Sequence, residues 1–361
     1  MRLLFVRHGD PDYKNDCLNE IGLREARALA ALGPQIGWGT CFVSPLGRAQ
    51  ETAAVVLGRA VPGAHGAAAA VECTDLSLRG DDDVFVRAGL GARGAGFGAS
   101  STGLGARGAG FGASSTGLGE RGAGFGASST GLGARGAAAG NDGAVGCGTD
   151  AAGRNPGSSG EDLIKTLDWL QEFPAQVDPG AARLLNDAFC FKKNEDGTVK
   201  KRVVWDMYPA YYHEHPAYSD YNAWRTTPVA GYSDTVSVYD GIIRSFDEFL
   251  AERGYVREGR HYRVEKESTE TITFFCHFGV TCVLLSHMWN VSPFVPLQSL
   301  CMPTSSVTEV YSEERQKGIA HFRATRIGDT THLTMAGLKP ERLPHSALFA
   351  EVYSDFSQRH D

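Results

Sequence analysis

The sequence predicts an α/β fold, a three-layer α/β/α sandwich around a mostly parallel sheet. Three observations carry this. Leu3 to Val6 is a short apolar run without helical spacing, which reads as a buried strand, and it stops on Arg7-His8-Gly9. Thr271 to Cys276 is β-branched and aromatic, stops on His277-Phe278-Gly279, and runs into an apolar helix from Val280 to Met288. Between them, strand-like and helix-like segments alternate, as in open α/β sheets that bind ligands at the carboxyl edge.

After the first strand, Asp10-Pro11 signals a turn and Pro11 to Cys17 reads as a polar loop. Asn19 to Leu32 reads as a helix, with Ile21, Ala26, Leu29 and Ala30 as its apolar stripe and Gly33-Pro34 as its stop. Thr40 to Val43 is a second short strand. Ser44-Pro45 then opens a helix that holds Arg48, Glu51 and Thr52, with proline early, where its missing N–H does no harm.

These motifs, Leu-Phe-Val-Arg7-His8-Gly9, then Leu18-Asn19-Glu20-Ile21-Gly22, then Ser44-Pro45-Leu46-Gly47-Arg48-Ala49-Gln50-Glu51-Thr52-Ala53, resemble the histidine phosphatase superfamily, in its phosphoglycerate mutase-like branch. The resemblance implies that His8 is phosphorylated during turnover and that Arg7 and Arg48 hold the phosphate. It departs at Asn19, where the family usually has threonine. It also leaves Lys14 and Asn15 as unassigned candidates for a phosphate-contacting asparagine.

From 81 to 160 the composition changes. A unit of about 14 residues, Arg-Gly-Ala-Gly-Phe-Gly-Ala-Ser-Ser-Thr-Gly-Leu-Gly, recurs from Arg93, Arg107 and Arg121. Such a segment lacks the apolar area to offset its ordering entropy, so it is expected to be a disordered insertion. Gly103-Leu-Gly105-Ala-Arg-Gly108 spells a dinucleotide fingerprint, but neither strand nor helix flanks it. The Phe97, Phe111 and Phe125 ladder leaves a sticky surface as the rival reading.

The domain division expected is 1–80 for the first part of the catalytic domain, 81–160 for the insertion and 161–361 for the remainder. In that remainder, Leu163 to Pro174 is strongly apolar, and the resemblance makes its Glu172 the acid that protonates the leaving group, with Asp206 and Glu214 in reserve. Lys192 to Arg202 reads as a charged hairpin turning at Asp196-Gly197. Trp205 to Trp224 is dense in aromatics and suits a cap over a pocket, at about 190–232. His213-Glu214-His215 puts two histidines on one face if it is a strand, without an evident third metal ligand.

Ser233 and Asp234 can cap a helix to Arg253, with Ile242, Ile243, Phe246, Phe249 and Leu250 as its stripe and Gly254 as its stop. His277, like His8, sits at a strand's end, next to a helix N-terminus, where phosphate binds readily. The resemblance makes it the second histidine of the phosphate pocket. Ser306 to Tyr311 and Ala320 to Thr325 read as strands, Glu313 to Lys317 as a solvated turn, and Ala347 to Tyr353 as a short helix. His332 gets no role.

Composition sets limits. The chain of 361 residues has a net charge of −7, which argues against a nucleic-acid partner. No apolar run is long enough to span a bilayer, and no signal segment precedes the first strand, so a cytoplasmic location is expected. The eight cysteines are scattered, and Cys41, Cys276 and Cys282 read as buried thiols. The function expected is phosphomonoester hydrolysis through phospho-His8, on a small-molecule phosphate ester, with no cofactor and no metal. The alternatives are a phosphoglycerate-type mutase and a phospho-ligand binding protein without turnover. Oligomeric state is left open.

Overall fold

The first strand, β1 (Arg2–Arg7), buries Leu3, Leu4, Phe5 and Val6 almost completely. Each contributes roughly 1.5–3 kcal/mol relative to exposure. Alternation sends Leu3 and Phe5 into one core and Leu4 and Val6 into the other, one on each face of the sheet. The computed structural model describes residues 1–58 and 164–338. The repeat, and the helix expected at Ala347–Tyr353, lie outside the described residues.

A small hairpin follows, β2 (Pro11–Asp12) and β3 (Cys17–Leu18), where only a loop was expected. Next come α1 (Glu20–Ala31), the short α2 (Gly33–Ile36), β4 (Thr40–Val43) and α3 (Gly47–Leu57). Asn19 does the work expected of a capping threonine. Its Oδ1 accepts from the Gly22 N–H at 2.9 Å, while its Nδ2 donates to Asp10. The buried face of α1 is Gly22, Glu25, Ala26, Ala28 and Leu29, whereas Ile21 is exposed. Helix α3 begins two residues later than Pro45 suggested, at Gly47, because Asp16 from the hairpin supplies its cap: Gly47 N–H donates to Asp16 Oδ2 at 2.7 Å.

Beyond the repeat lie β5 (Lys165–Thr166), β6 (Gln176–Val177), β7 (Arg202–Val203), α4 (Pro209–Glu214), α5 (Pro228–Gly231) and α6 (Thr235–Ala251). The aromatic stretch is largely interior. Trp205, Tyr212, Tyr218 and Trp224 are buried, and Tyr218 and Trp224 pack edge-on against Phe294 and Tyr239. A hairpin not foreseen from the sequence comes next, β8 (Tyr255–Glu258) and β9 (His261–Val264), turning at Gly259 with φ +57°. The rest is β10 (Thr271–Cys276), α7 (Phe278–Trp289), α8 (Phe294–Ser299), β11 (Val307–Gln316), β12 (Ile319–Asp329) and α9 (Thr331–Met335). The charged run Glu313 to Gln316 is strand, and the turn is only Lys317-Gly318.

The eight-stranded sheet runs β5-β4-β10-β1-β11-β12-β9-β8. It is mixed, which corrects the mostly parallel expectation. The β5, β4, β10 and β1 half is parallel; from β1 outward every pairing is antiparallel. Two hairpins build that second half, and hairpins need no crossover helix. Helices α1 and α3 cover one face with Ala26, Leu29, Ala49 and Ala53. The other face is covered by α6 and α7 with Phe246, Leu250, Val280 and Leu284. Helix α7 is buried on all sides from Phe278 to Met288, consistent with its predominantly apolar sequence.

Candidate active site

Register brings the two histidines together. In the parallel pair β1–β10, Arg7 lies opposite Cys276, so the next residues off the strand ends are His8 and His277. Their ring centroids are 5.1 Å apart. Strand β4 pairs on the other side of β10 with Val43 opposite Phe275, which delivers Ser44 beside His277. The Ser44 hydroxyl and His277 Nε2 are 2.8 Å apart.

His8 is 1% exposed, and its Nδ1 is 2.7 Å from the Gly9 carbonyl. A carbonyl only accepts, so Nδ1 carries the proton and Nε2 keeps a bare lone pair. Burial, then Arg7 and Arg48, push the His8 pKa well below the usual histidine value, so the ring is neutral at pH 7. His277 is pushed down in the same way by burial, His8, Arg48 and Arg7. Ser44 Oγ also accepts from Leu46 N–H at 3.2 Å. His277 Nδ1 is buried without a partner among the described residues.

Each arginine is held by one end. Arg7 Nη1 donates to the Met302 carbonyl at 2.6 Å; Arg48 Nη1 pairs with Asp16 Oδ1. In both, Nε is buried and has no partner among the described residues. The Arg48 guanidinium carbon also lies 5.5 Å from the centroid of the Tyr13 ring, at the hairpin tip.

Glu172 lies in the loop after a 3-10 turn at Asp168–Leu170. Its Oε1 accepts from the N–H groups of Phe173 (2.9 Å), Gly279 (2.8 Å) and Val280 (3.3 Å), so it caps α7. A Cβ on Gly279 would stand 2.8 Å from that oxygen, which accounts for the glycine after His277-Phe278. Desolvation raises the Glu172 pKa, opposed by Arg7, the backbone N–H groups and Arg48. The reserve acids sit elsewhere: Asp206 pairs with Arg202 at 3.9 Å, and Glu214 is exposed at the end of α4. Lys14 and Asn15 are turn residues whose N–H groups donate to Asp12.

His213-Glu214-His215 ends a helix instead of lying on a strand, which corrects the one-face argument. His215 Nδ1 bonds to the Tyr211 carbonyl at 2.7 Å. Among the described residues no group of three or more His, Cys, Asp or Glu side chains is arranged to hold a metal ion. None of their helices is long and apolar enough to cross a membrane. Asp16, Ser44 and Glu25 went unrecognised in the sequence. Their only signal was position, at a turn before Leu18, at the end of β4, and on the inner face of α1.

The segment that contributes Arg7, His8 and Arg48 is the part of the chain that matches a known family. Residues 3–64 match the family model of the histidine phosphatase superfamily (branch 1). That segment is similar to the superfamily. Several solved structures are similar to the chain at low identity. The phosphoserine phosphatase of Entamoeba histolytica in complex with 3-phosphoglyceric acid is 10% identical, with a TM-score of 0.40, covering 92% of this chain and 98% of that one. A mycobacterial glucosyl-3-phosphoglycerate phosphatase is 12% identical, with a TM-score of 0.38, covering 91% and 98%. An Escherichia coli protein described as a putative alpha-ribazole-5'-P phosphatase is 12% identical, with a TM-score of 0.36, covering 91% and 98%. No curated protein matches the chain.

Proposed function

We propose that this chain is a metal-independent phosphomonoesterase that works through a phosphohistidine at His8. One observation carries the reading. Three buried polar atoms without partners among the described residues, Arg7 Nε, Arg48 Nε and His277 Nδ1, belong to the three residues whose charge or proximity acts on His8. Leaving buried donors unpaired costs about 1–3 kcal/mol each, so the arrangement calls for an acceptor-rich ligand. A phosphate monoester supplies oxygens for all three. The forked guanidinium groups match its geometry and charge.

In this reading His8 Nε2 attacks phosphorus, forming the N–P bond as the ester P–O bond breaks. The leaving oxygen takes a proton from Glu172. Because Oε1 is occupied by three backbone N–H groups, Oε2 is the oxygen that carries it. The same carboxylate then takes a proton from water, whose oxygen displaces His8 from phosphorus. Arg7, Arg48 and His277 stabilise charge on the transferring group, the main work in phosphoryl transfer. The substrate is a small-molecule phosphate ester, and the expected compartment is the cytoplasm.

The test is turnover of p-nitrophenyl phosphate without added metal, with trapping of acid-labile label on the protein from a labelled ester. His8→Ala should abolish both and leave the circular dichroism spectrum unchanged. Turnover that survives His8→Ala would refute the reading.

A further inference from the structure

The nucleophile's turn is pinned from behind by a loop, residues 301–306, that joins α8 to β11. Met302 carbonyl holds Arg7 Nη1 at 2.6 Å, Ser305 N–H donates to the His8 carbonyl at 2.9 Å, and Arg7 N–H donates to the Ser306 carbonyl at 3.0 Å. The loop therefore sets where Arg7 and His8 point. Ser305 is fully buried and holds φ +58°, a conformation serine rarely adopts unless its surroundings enforce it.

Two buried side chains from packed helices hold consecutive residues of this loop. Glu25 of α1 accepts from Thr304 Oγ1 at 3.0 Å through Oε1, and from Asp10 N–H at 2.9 Å through Oε2. It thus bridges the loop to the turn that follows His8. His332 of α9 contacts Ser305 Oγ through Nε2 at 2.9 Å. Glu25 is 7% exposed and His332 is 3% exposed. We propose that Glu25 and His332 are positioning residues that clamp Thr304 and Ser305, and through them fix Arg7 and His8 for phosphoryl transfer.

The clamp is built from groups that titrate. Asp10 and Arg7, both from the β1 turn, act on Glu25, which is raised to about 7, chiefly by burial. Asp329 acts on His332, and Arg2, Glu309 and Arg326 line the small hollow beside it. Ionised Glu25 adds a negative charge next to Arg7 and draws on the same guanidinium that holds phosphate.

This inference rests on the phosphatase reading, and the experiment separates the two. Steady-state kinetics on p-nitrophenyl phosphate from pH 5 to 9 would compare wild type with Glu25→Ala, Glu25→Gln, His332→Phe and His8→Ala. Glu25→Ala and His332→Phe should lower kcat/KM about tenfold or more, since small displacements of reacting groups are costly. Glu25→Gln keeps both contacts and should stay within about threefold of wild type, but lose the wild-type inflection near pH 7. Folding of each variant is read by circular dichroism, and the isosteric glutamine keeps the test alive if alanine unfolds. An inflection near pH 7 that persists in Glu25→Gln, or full activity in Glu25→Ala, overturns the clamp alone. Activity indifferent to His8→Ala overturns the parent reading instead.

Discussion

Asp16 holds both Arg48 and the start of the helix that carries it. Its Oδ1 pairs with Arg48 Nη1 and its Oδ2 accepts from Gly47 N–H, so one carboxylate caps α3 and orients the guanidinium. The hairpin tip must sit directly on the helix start: a Cβ on Gly47 would stand 2.2 Å from the Asp16 carbonyl oxygen. Asp16→Ala should therefore raise KM for an aryl phosphate about tenfold with a smaller change in kcat, because Arg48 loses its fixed orientation. It should also lower stability by about 1 kcal/mol through the lost cap. Steady-state kinetics and urea unfolding read the two effects separately.

Glu172→Gln removes a transferable proton without removing the cap on α7. Its effect should depend on the leaving group. For an alkyl phosphate the rate should fall about a hundredfold or more, whereas p-nitrophenolate, which leaves without help, should be lost far less. Equal losses on both substrates would take the acid's role away from Glu172.

Gly22 lies in a helix, where alanine ordinarily stabilises by up to about 1 kcal/mol. Here the sign reverses. A Cβ on Gly22 would stand 2.2 Å from the Asp10 carbonyl oxygen, and one on Gly9 would stand 2.7 Å from the Gly22 carbonyl oxygen. Gly22→Ala should cost roughly 2 kcal/mol or more, by forcing α1 off the His8 turn. A denaturation midpoint equal to or above wild type contradicts this contact.

Stability against pH should carry two opposed contributions. Glu25 holds its proton to about pH 7 when folded and to about 4.5 when unfolded, so across that window the folded state binds more protons and stability falls as pH rises. His332 loses its proton at about pH 4 folded and 6.5 unfolded, so its contribution is present above 6.5 and is lost as pH falls through 4. Each is worth at most about 3 kcal/mol. Between 4.5 and 6.5 the two slopes oppose each other. Glu25→Gln should leave a melting temperature that climbs with pH there, and His332→Gln one that declines. Parallel curves for the two variants would contradict both assignments.

Local pattern made much of this chain legible. The apolar runs of β1, β4 and β10, the capped start of α1, and the stripe of α6 lie where periodicity puts them, because burial of one face depends on neighbours two to four residues away. The β8–β9 hairpin escaped notice because Tyr255-Val-Arg-Glu and His261-Tyr-Arg-Val are dense in charge, with only Tyr255 and Tyr262 buried. The charged end of β11 escaped for the same reason. His213-Glu214-His215 misled because a three-residue window cannot tell a helix end from a strand.

The sequence alone determined the residue types at the strand ends, Arg7-His8-Gly9 and His277-Phe278-Gly279, and the helix that presents Arg48. Their meeting was decided by tertiary structure. The parallel pairing of Arg7 with Cys276 places the two imidazoles side by side, and a one-residue slip would send every side chain of β1 to the opposite face. Asp16 on Arg48, Ser44 on His277, and Glu25 with His332 on the loop behind them depend on contacts between segments 27 to 279 residues apart. No local propensity encodes such contacts, because they form only once the sheet has closed and the helices have packed onto it.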